Sequence, residues 1–217
     1  MTKVKACLFD LDGVIVDTAK YHYLAWKRLA SELGFEFTEE HNERLKGVSR
    51  MKSLEILLEV GHKQNLFTEE EKLKMAEKKN NWYVEYISQM DESEILKGVK
   101  EFMECIRANG IKTALGSVSK NAMTILNNIG MVKYFDTVID GTKITNAKPD
   151  PEVFLKGAEE LGVAPNSCVV FEDAKAGIEA ARNAEMHCIG VGSPLILDKA
   201  DFTIMSFEEM TLERLEF

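Results

Sequence analysis

The fold is decided by the stretch ACLFDLDGVIVDT at residues 6–18. Its first four residues are apolar enough to form a buried strand of a parallel sheet. Asp10 then falls at the carboxyl end of that strand, where open α/β sheets bind their ligands. Asp10 and Asp12 are two residues apart, so both side chains point to one face of an extended backbone. Gly13 lets the chain turn away. Such a pair can supply a nucleophile, a metal ligand or a proton shuttle, although it could also cap a helix or bind a stray cation.

The segment that follows Thr18 has a different character. From residue 21 to about residue 90 the sequence is helical and rich in charge, without a convincing strand. One predicted helix ends at Gly34, and a second is marked by apolar residues at 54–58. A third begins with the Thr-Glu-Glu-Glu of residues 68–71, which resembles a capping box. This segment is therefore predicted to be a helical insert.

The rest of the chain alternates between strands and helices. The predicted strands are 111–115, 137–139, 168–171 and 188–191, and the predicted helices are 99–109, 121–128, 152–161 and 178–184. Such alternation implies right-handed crossovers and a parallel sheet. The sequence thus predicts an α/β fold with two domains. A Rossmann-like core would comprise residues 1–17 and 92–217, and an α-helical cap would comprise residues 18–91.

Composition limits the classes of function. The 217 residues are 45% hydrophobic and 29% charged, which is ordinary for a globular protein. The net charge of −9 disfavours nucleic acid as a partner, because nucleic-acid binding depends on a basic surface. A phosphorylated small molecule remains compatible with this charge, because a few cations that converge in one cleft are sufficient to bind it.

The N-terminal residues, the lack of a long apolar stretch and the cysteines indicate where the protein is located in the cell. Residues 1–5 precede no long apolar segment, and no uncharged stretch is long enough to span a bilayer. The four cysteines are Cys7, Cys105, Cys168 and Cys188, and no two of them form a CxxC pair. We therefore expect a cytoplasmic protein that interacts with neither membranes nor nucleic acid, and we expect it to be a monomer.

Three more polar motifs follow apolar segments or turns. Ser117 comes after the strand 111–115, where a hydroxyl and the free N–H groups of a helix start can hold phosphate. Lys148 precedes Pro149, and the pair Glu172 and Asp173 follows the strand 168–171. Taken alone, the serine and the acidic pair are also typical helix N-caps, and an isolated lysine is usually only solvated.

In this order, Asp-x-Asp, Ser, Lys-Pro and Glu-Asp, the motifs resemble the haloacid dehalogenase superfamily of phosphoryl-transfer enzymes. The resemblance covers nearly the whole chain. LKGVSR at residues 45–50 and SVSKN at 117–121 are similar to the β-phosphoglucomutase-like subfamily within it. Gly116 departs from the small alanine of that subfamily, and we expect it to loosen the loop while leaving the Ser117 hydroxyl in place.

The resemblance implies a Mg²⁺-dependent transfer through an aspartyl phosphate. It assigns Asp10 as the nucleophile and Asp12 as the general acid and base, with Ser117 and Lys148 holding the phosphoryl group. The implied metal ligands are the carboxylates of Asp10, Glu172 and Asp173 and the backbone carbonyl of Asp12.

The resemblance also assigns residues that bind a sugar phosphate. Arg50 would hold the phosphate that is not transferred, together with Ser119, Lys120 and Asn121. The other implied residues are Lys46 and Gly47 at the sugar, His22 beside Asp12 and Thr18 at the hinge of the cap. Trp26 either faces the sugar or packs among the helices. Lys79 and Asn80 either support a closed lid or lie on a solvated helix face.

The implied activity is a mutase that interconverts β-glucose 1-phosphate and glucose 6-phosphate through a 1,6-bisphosphate. Two alternatives remain open. A sugar-phosphate phosphatase would use the same core residues but would admit water. A catalytically silent sugar-phosphate sensor would not need two carboxylates beside the bound phosphate.

Overall fold

The structure, a computed structural model, describes residues 4–45 and 48–217. Contacts between residues divide the chain into two compact units. The first contains Met1–Asp17 and Met90–Phe217, and the second contains Thr18–Gln89. The boundaries that we predict from the sequence lie after residues 17 and 91.

The first unit is built on a six-stranded parallel sheet with the strand order β3-β2-β1-β4-β5-β6. The strands are β1 Ala6–Phe9, β2 Lys112–Gly116, β3 Thr137–Ile139, β4 Cys168–Glu172, β5 His187–Val191 and β6 Phe202–Ile204. The predicted parallel α/β architecture is confirmed. Phe9 pairs with Leu115 on one side and Phe171 on the other, so β1, β2 and β4 end at one edge of the sheet.

The second unit is helical in its described part, 18–45 and 48–89. Its helices are α1 Ala19–Glu32, α2 Glu39–Glu43, α3 Arg50–Val60 and α4 Glu69–Ile87, and α4 packs against both α1 and α3. The predicted capping box of α4 is present. The backbone N–H of Thr68 donates to Glu71 Oε2 at 2.7 Å, and the N–H of Glu71 donates to Thr68 Oγ1 at 3.3 Å.

The longer helices of the first unit cover both faces of the sheet. They are α5 Val99–Ala108, α6 Ala122–Asn128, α7 Glu152–Leu161 and α8 Lys175–Asn183. Leu8 and Val170 contribute to a core that includes Phe154 of α7 and Ile178 of α8. On the opposite face, the Phe9 ring stacks on Phe171 with centroids 4.9 Å apart, because successive strand residues alternate between faces.

No helix among the described residues is both long and apolar enough to cross a membrane.

Candidate active site

Asp10 is the first residue beyond β1. Its backbone N–H donates to the Phe171 carbonyl at 3.0 Å, which extends the pairing with β4 by one residue. Its side chain accepts a 2.9 Å hydrogen bond at Oδ2 from the backbone N–H of Asp12. Asp10 is only 6% exposed. The sheet and the following turn therefore fix this carboxylate in one position.

Lys148 lies between two carboxylates. Its Nζ forms an ion pair with Asp10 Oδ1 and donates to Glu172 Oε2 at 2.7 Å. Burial alone would lower the pKa of the amine, but the charges of Asp10 and Glu172 outweigh it, so the pKa of Lys148 is raised. Lys148 is therefore a fixed cation, and the alternative of a solvated lysine is wrong.

The acidic side chains form a cluster that fits a divalent cation. Asp10, Glu172 and Asp173 each place a carboxylate oxygen within 4.8 Å of the others. Burial first, and then the charges of the neighbouring carboxylates, raise the pKa of Asp173 to about 8. Burial also raises the pKa of Glu172 to about 7, although Lys148 opposes the shift. Crowded carboxylate oxygens are the donor set of a hard cation such as Mg²⁺, whose charge would relieve their repulsion.

Two glycines allow this crowding. Gly13 has a φ of +78°, and a Cβ there would lie 2.1 Å from Asp173 Oδ2. Within α8, a Cβ on Gly177 would lie 1.9 Å from the carboxyl carbon of Glu172. Any other residue at either position would displace an acidic group. Sequence reasoning missed Gly177 because it places the start of this helix at residue 178, whereas α8 begins at Lys175.

Asp12 lies in a tight turn beside the cluster. The turn is closed by a 2.7 Å hydrogen bond from the Gly13 N–H to the Val16 carbonyl, and Asp12 forms an isolated bridge with Val16. The half-buried carboxylate of Asp12 is among the charges that raise the pKa of Asp173. A fourth carboxylate is thus held close to the acidic cluster but outside it.

The loop after β2 brings Ser117 to the same edge of the sheet. Ser117 is 1% exposed, and its N–H donates to the Ile139 carbonyl at 3.0 Å. Its Oγ accepts from the Ser119 N–H at 3.1 Å, and Ser119 Oγ accepts from the Asn121 N–H at 3.2 Å. Both hydroxyls therefore organise the loop backbone. Lys120 in the same loop is exposed.

Gly116 does not loosen this loop, so that expectation is wrong. Gly116 is the buried last residue of β2, and a Cβ there would lie 2.8 Å from Phe154 Cδ1. The Phe154 ring in turn lies 4.8 Å from Lys148 Nζ. The missing side chain therefore makes room for the ring beneath the active-site lysine.

The helical unit contains its own buried polar cluster. Lys79 is 2% exposed, and its Nζ lies 2.8 Å from His22 Nδ1 and 4.6 Å from the Trp26 ring. Burial first, and then the charges of Lys79 and Arg50, lower the pKa of His22 well below its usual value. The solvated interpretation of Lys79 is therefore wrong. Trp26 is itself only 2% exposed and packs in this cluster.

The other predicted residues of this unit lie nearby or outside the described ranges. Arg50 is the first residue of α3, and its guanidinium donates to Asn80 Oδ1 at 2.8 Å. Thr18 is buried and precedes α1. Lys46 and Gly47 lie outside the described residues.

Comparisons with known proteins agree with this arrangement. The profile of the haloacid dehalogenase-like hydrolase family matches residues 7–191. A β-phosphoglucomutase of Bacillus subtilis is 40% identical over 212 residues, which cover 98% of this chain and 94% of that protein. A phosphorylated-carbohydrate phosphatase of Thermotoga maritima is 36% identical over 186 residues, or 83% of this chain and 82% of that one. The crystal structure of a β-phosphoglucomutase from Clostridium difficile superimposes with a TM-score of 0.89 and 45% identity, covering 98% of this chain and 95% of that one.

Proposed function

The chain belongs to the haloacid dehalogenase-like hydrolase family, and we propose that it is a mutase that interconverts β-D-glucose 1-phosphate and D-glucose 6-phosphate. The observation that carries the proposal is the strand-end carboxylate of Asp10, fixed between Lys148 and the Asp12 backbone, in a chain similar over its length to mutases. The reaction would pass through a phosphorylated Asp10 and a β-glucose 1,6-bisphosphate.

Asp10 is the nucleophile in this proposal. One of its carboxylate oxygens forms a bond to phosphorus while the bond from phosphorus to the sugar oxygen breaks. Lys148 supplies a positive charge at Asp10, and Ser117 supplies a hydroxyl at the end of the neighbouring strand. Because a phosphate monoester repels an incoming carboxylate, these groups lower the cost of the approach.

Asp12 moves the proton. It donates a proton to the sugar oxygen that leaves, and it accepts a proton from the sugar hydroxyl that later attacks the phosphorylated Asp10. The turn holds Asp12 two residues from the nucleophile, with its N–H on Asp10 Oδ2. One group can thus serve both half-reactions.

Mg²⁺ is the proposed cofactor. The carboxylates of Asp10, Glu172 and Asp173 would hold it together with the backbone carbonyl of Asp12, as the resemblance implies. When bound, Mg²⁺ neutralises charge on the transferred phosphoryl group.

Removal of divalent metal should abolish turnover. After treatment with a chelator we expect no glucose 6-phosphate, and we expect added Mg²⁺ to restore the rate. Mg²⁺ should also raise the Tm of the protein, because a ligand that binds only the folded state stabilises it. Full turnover after chelation, with no effect of Mg²⁺ on Tm, would contradict the metal assignment.

Arg50 separates mutase from phosphatase. A mutase has a bisphosphate intermediate, so one phosphate must be held while the other reacts, and a guanidinium is suited to that task. We propose that Arg50, with Ser119, Lys120 and Asn121, binds the phosphate that is not transferred. We further propose a role in sugar binding or in closure of the cap for five other residues: Lys46, Gly47, Thr18, His22 and Trp26. We also propose that the protein acts as a monomer in the cytoplasm.

Arg50→Ala should therefore cut mutase turnover by about 10–100-fold, the usual value of a charge-assisted contact. Hydrolysis of acetyl phosphate, which has no second phosphate, should change little. Arg44→Ala is the matched control, because Arg44 lies in the same unit but pairs with Glu59 at 2.9 Å. Equal losses in both assays for Arg50→Ala, or none in either, would favour the phosphatase, which the Thermotoga maritima relative makes the second candidate.

A further inference from the structure

The lysine at the centre of the site is carried by a loop. Lys148 lies between β3 and α7, in a segment of turns and bends outside any strand or helix. Its Nζ must nevertheless reach both Asp10 and Glu172. Because the loop has no strand or helix hydrogen bonds of its own, contacts with neighbouring side chains have to fix it.

A single carboxylate accepts hydrogen bonds from the backbone of this loop. Glu152, the first residue of α7, accepts from the Thr145 N–H at 3.1 Å and 3.0 Å through its two oxygens. Its Oε2 also accepts from the Asn146 N–H at 2.7 Å. Asn146 is two positions before Lys148 in the chain. One side chain thus ties two consecutive peptide groups to the start of α7.

Lys156, one turn further along the same helix, also contacts this loop. Its Nζ donates to Glu152 Oε1 at 2.6 Å and to the Lys143 carbonyl at 2.7 Å. The Asp150 N–H donates to the Ala147 carbonyl at 3.1 Å, which closes the turn around Lys148 itself. The loop is therefore held on both sides of the lysine.

The helix that anchors the loop is a rigid platform. Helix α7 packs on β1, β2 and β3, and its buried Phe154 ring lies beneath Lys148 Nζ. A rigid element positions a functional group more accurately than a loop can by itself.

We propose that Glu152 and Lys156 are positioning residues that hold the loop of residues 143–148 on α7, so that Lys148 reaches Asp10 and Glu172. This inference rests on the proposed phosphoryl transfer at Asp10. It goes beyond it by assigning a role in turnover to a surface ion pair that is not part of the acidic cluster.

The electrostatics of the Glu152–Lys156 ion pair support a lasting contact between α7 and the loop. The hydrogen bond from Lys156 and those from the Asn146 and Thr145 backbones lower the pKa of Glu152 to about 2, against a smaller opposing effect of burial. Glu152 is therefore ionised at any pH at which the enzyme would be assayed.

A purely structural role of Glu152 would depend on its charge and not on the length of its side chain. An acidic residue of either length in the first turn of a helix stabilises the helix, because it interacts with the helix dipole. Glu152→Asp preserves that charge but shortens the side chain by one methylene, which withdraws it from the Thr145 and Asn146 N–H groups. Glu152→Gln keeps the length and removes the charge.

The test measures kcat, KM, Tm and amide hydrogen exchange in Mg²⁺ for Glu152→Gln, Glu152→Asp and Lys156→Met. We expect each variant to lower kcat by about 10–100-fold, the scale of a misplacement of roughly 1 Å, with KM changed by less. The Thr145 and Asn146 amides should exchange faster in both Glu152 variants, while Tm stays within a few degrees of wild type. Glu70→Gln is the matched control, since it removes an exposed ion pair with Lys74 at 2.6 Å on α4, and we expect it to change none of these values.

Lys148→Ala distinguishes failure of this inference from failure of the proposed function. If Lys148→Ala is inactive while both Glu152 variants keep wild-type kcat, the positioning role is overturned and the proposed function stands. If Lys148→Ala itself retains full turnover, the role of the lysine in the proposed function is overturned. A Glu152→Asp variant with wild-type kcat and protected amides would leave only the helix-dipole role.

Discussion

Asp10→Asn is expected to abolish turnover and to leave the fold intact. The amide has nearly the same shape as the carboxylate, but it is a poor nucleophile and removes one negative charge from the proposed metal site. The fold should persist because Lys148 keeps its 2.7 Å hydrogen bond to Glu172. Phosphoenzyme, measured by intact mass after exposure to a phosphate donor, should be absent.

The control for this variant is Asp198→Asn, which removes an exposed carboxylate in the segment between β5 and β6. It should retain both turnover and phosphoenzyme. Circular dichroism and Tm should show that both variants are folded. Substantial turnover by Asp10→Asn, in a preparation free of wild-type protein, would be incompatible with Asp10 as the nucleophile.

Asp12→Ala should slow both half-reactions by about 10²–10⁴-fold, the usual contribution of a general acid or base. The nucleophile should remain in place, because the contact to Asp10 Oδ2 comes from the Asp12 backbone N–H, which alanine retains. Rapid-quench measurements of the formation and discharge of phosphoenzyme separate the two steps.

Mg²⁺ binding distinguishes the roles of Asp12. Because the resemblance implies a contact through the backbone carbonyl, Asp12→Ala should still bind Mg²⁺ in isothermal titration. Loss of Mg²⁺ binding in this variant would make the Asp12 side chain a ligand and would leave the proton transfer without its proposed group.

The elements that the sequence predicts well are those with strong local signals. Strand β1 is a run of apolar residues that ends at a charge, and α7 is bounded by Pro151 and Gly162 as the pattern indicates. Five of the six strands, and their parallel arrangement, follow from the alternation of such segments. The strand ends in turn predict that Asp10, Ser117 and Glu172 lie at one edge of the sheet.

Two elements were missed because their signals are weak. Strand β6 has only three residues, and Thr203 interrupts its apolar character. Helix α2 has five residues, and its capping box uses His41 rather than the usual glutamate or glutamine. The Thr38 N–H donates to His41 Nδ1 at 3.2 Å in place of a carboxylate.

Parts of the site depend on contacts that no local pattern encodes. The sequence places Lys148 before a proline, but the pairing with Asp10 and Glu172 joins segments far apart in the chain. In the same way, the sequence around Gly116 indicates a loose loop, because the Phe154 ring that fills its space is distant in the chain. Glu152 has the appearance of an ordinary first-turn acid until its hydrogen bonds to the loop are seen.

The most direct measurement follows the fate of the phosphoryl group. The purified protein is given β-glucose 1-phosphate, Mg²⁺ and a catalytic amount of β-glucose 1,6-bisphosphate, and glucose 6-phosphate and free phosphate are measured in parallel. A mutase with Asp10 as its phosphoryl carrier converts the substrate to glucose 6-phosphate, while free phosphate stays at or below about the amount of bisphosphate added. Release of one phosphate for each substrate consumed, without glucose 6-phosphate, would contradict the mutase and identify a phosphatase.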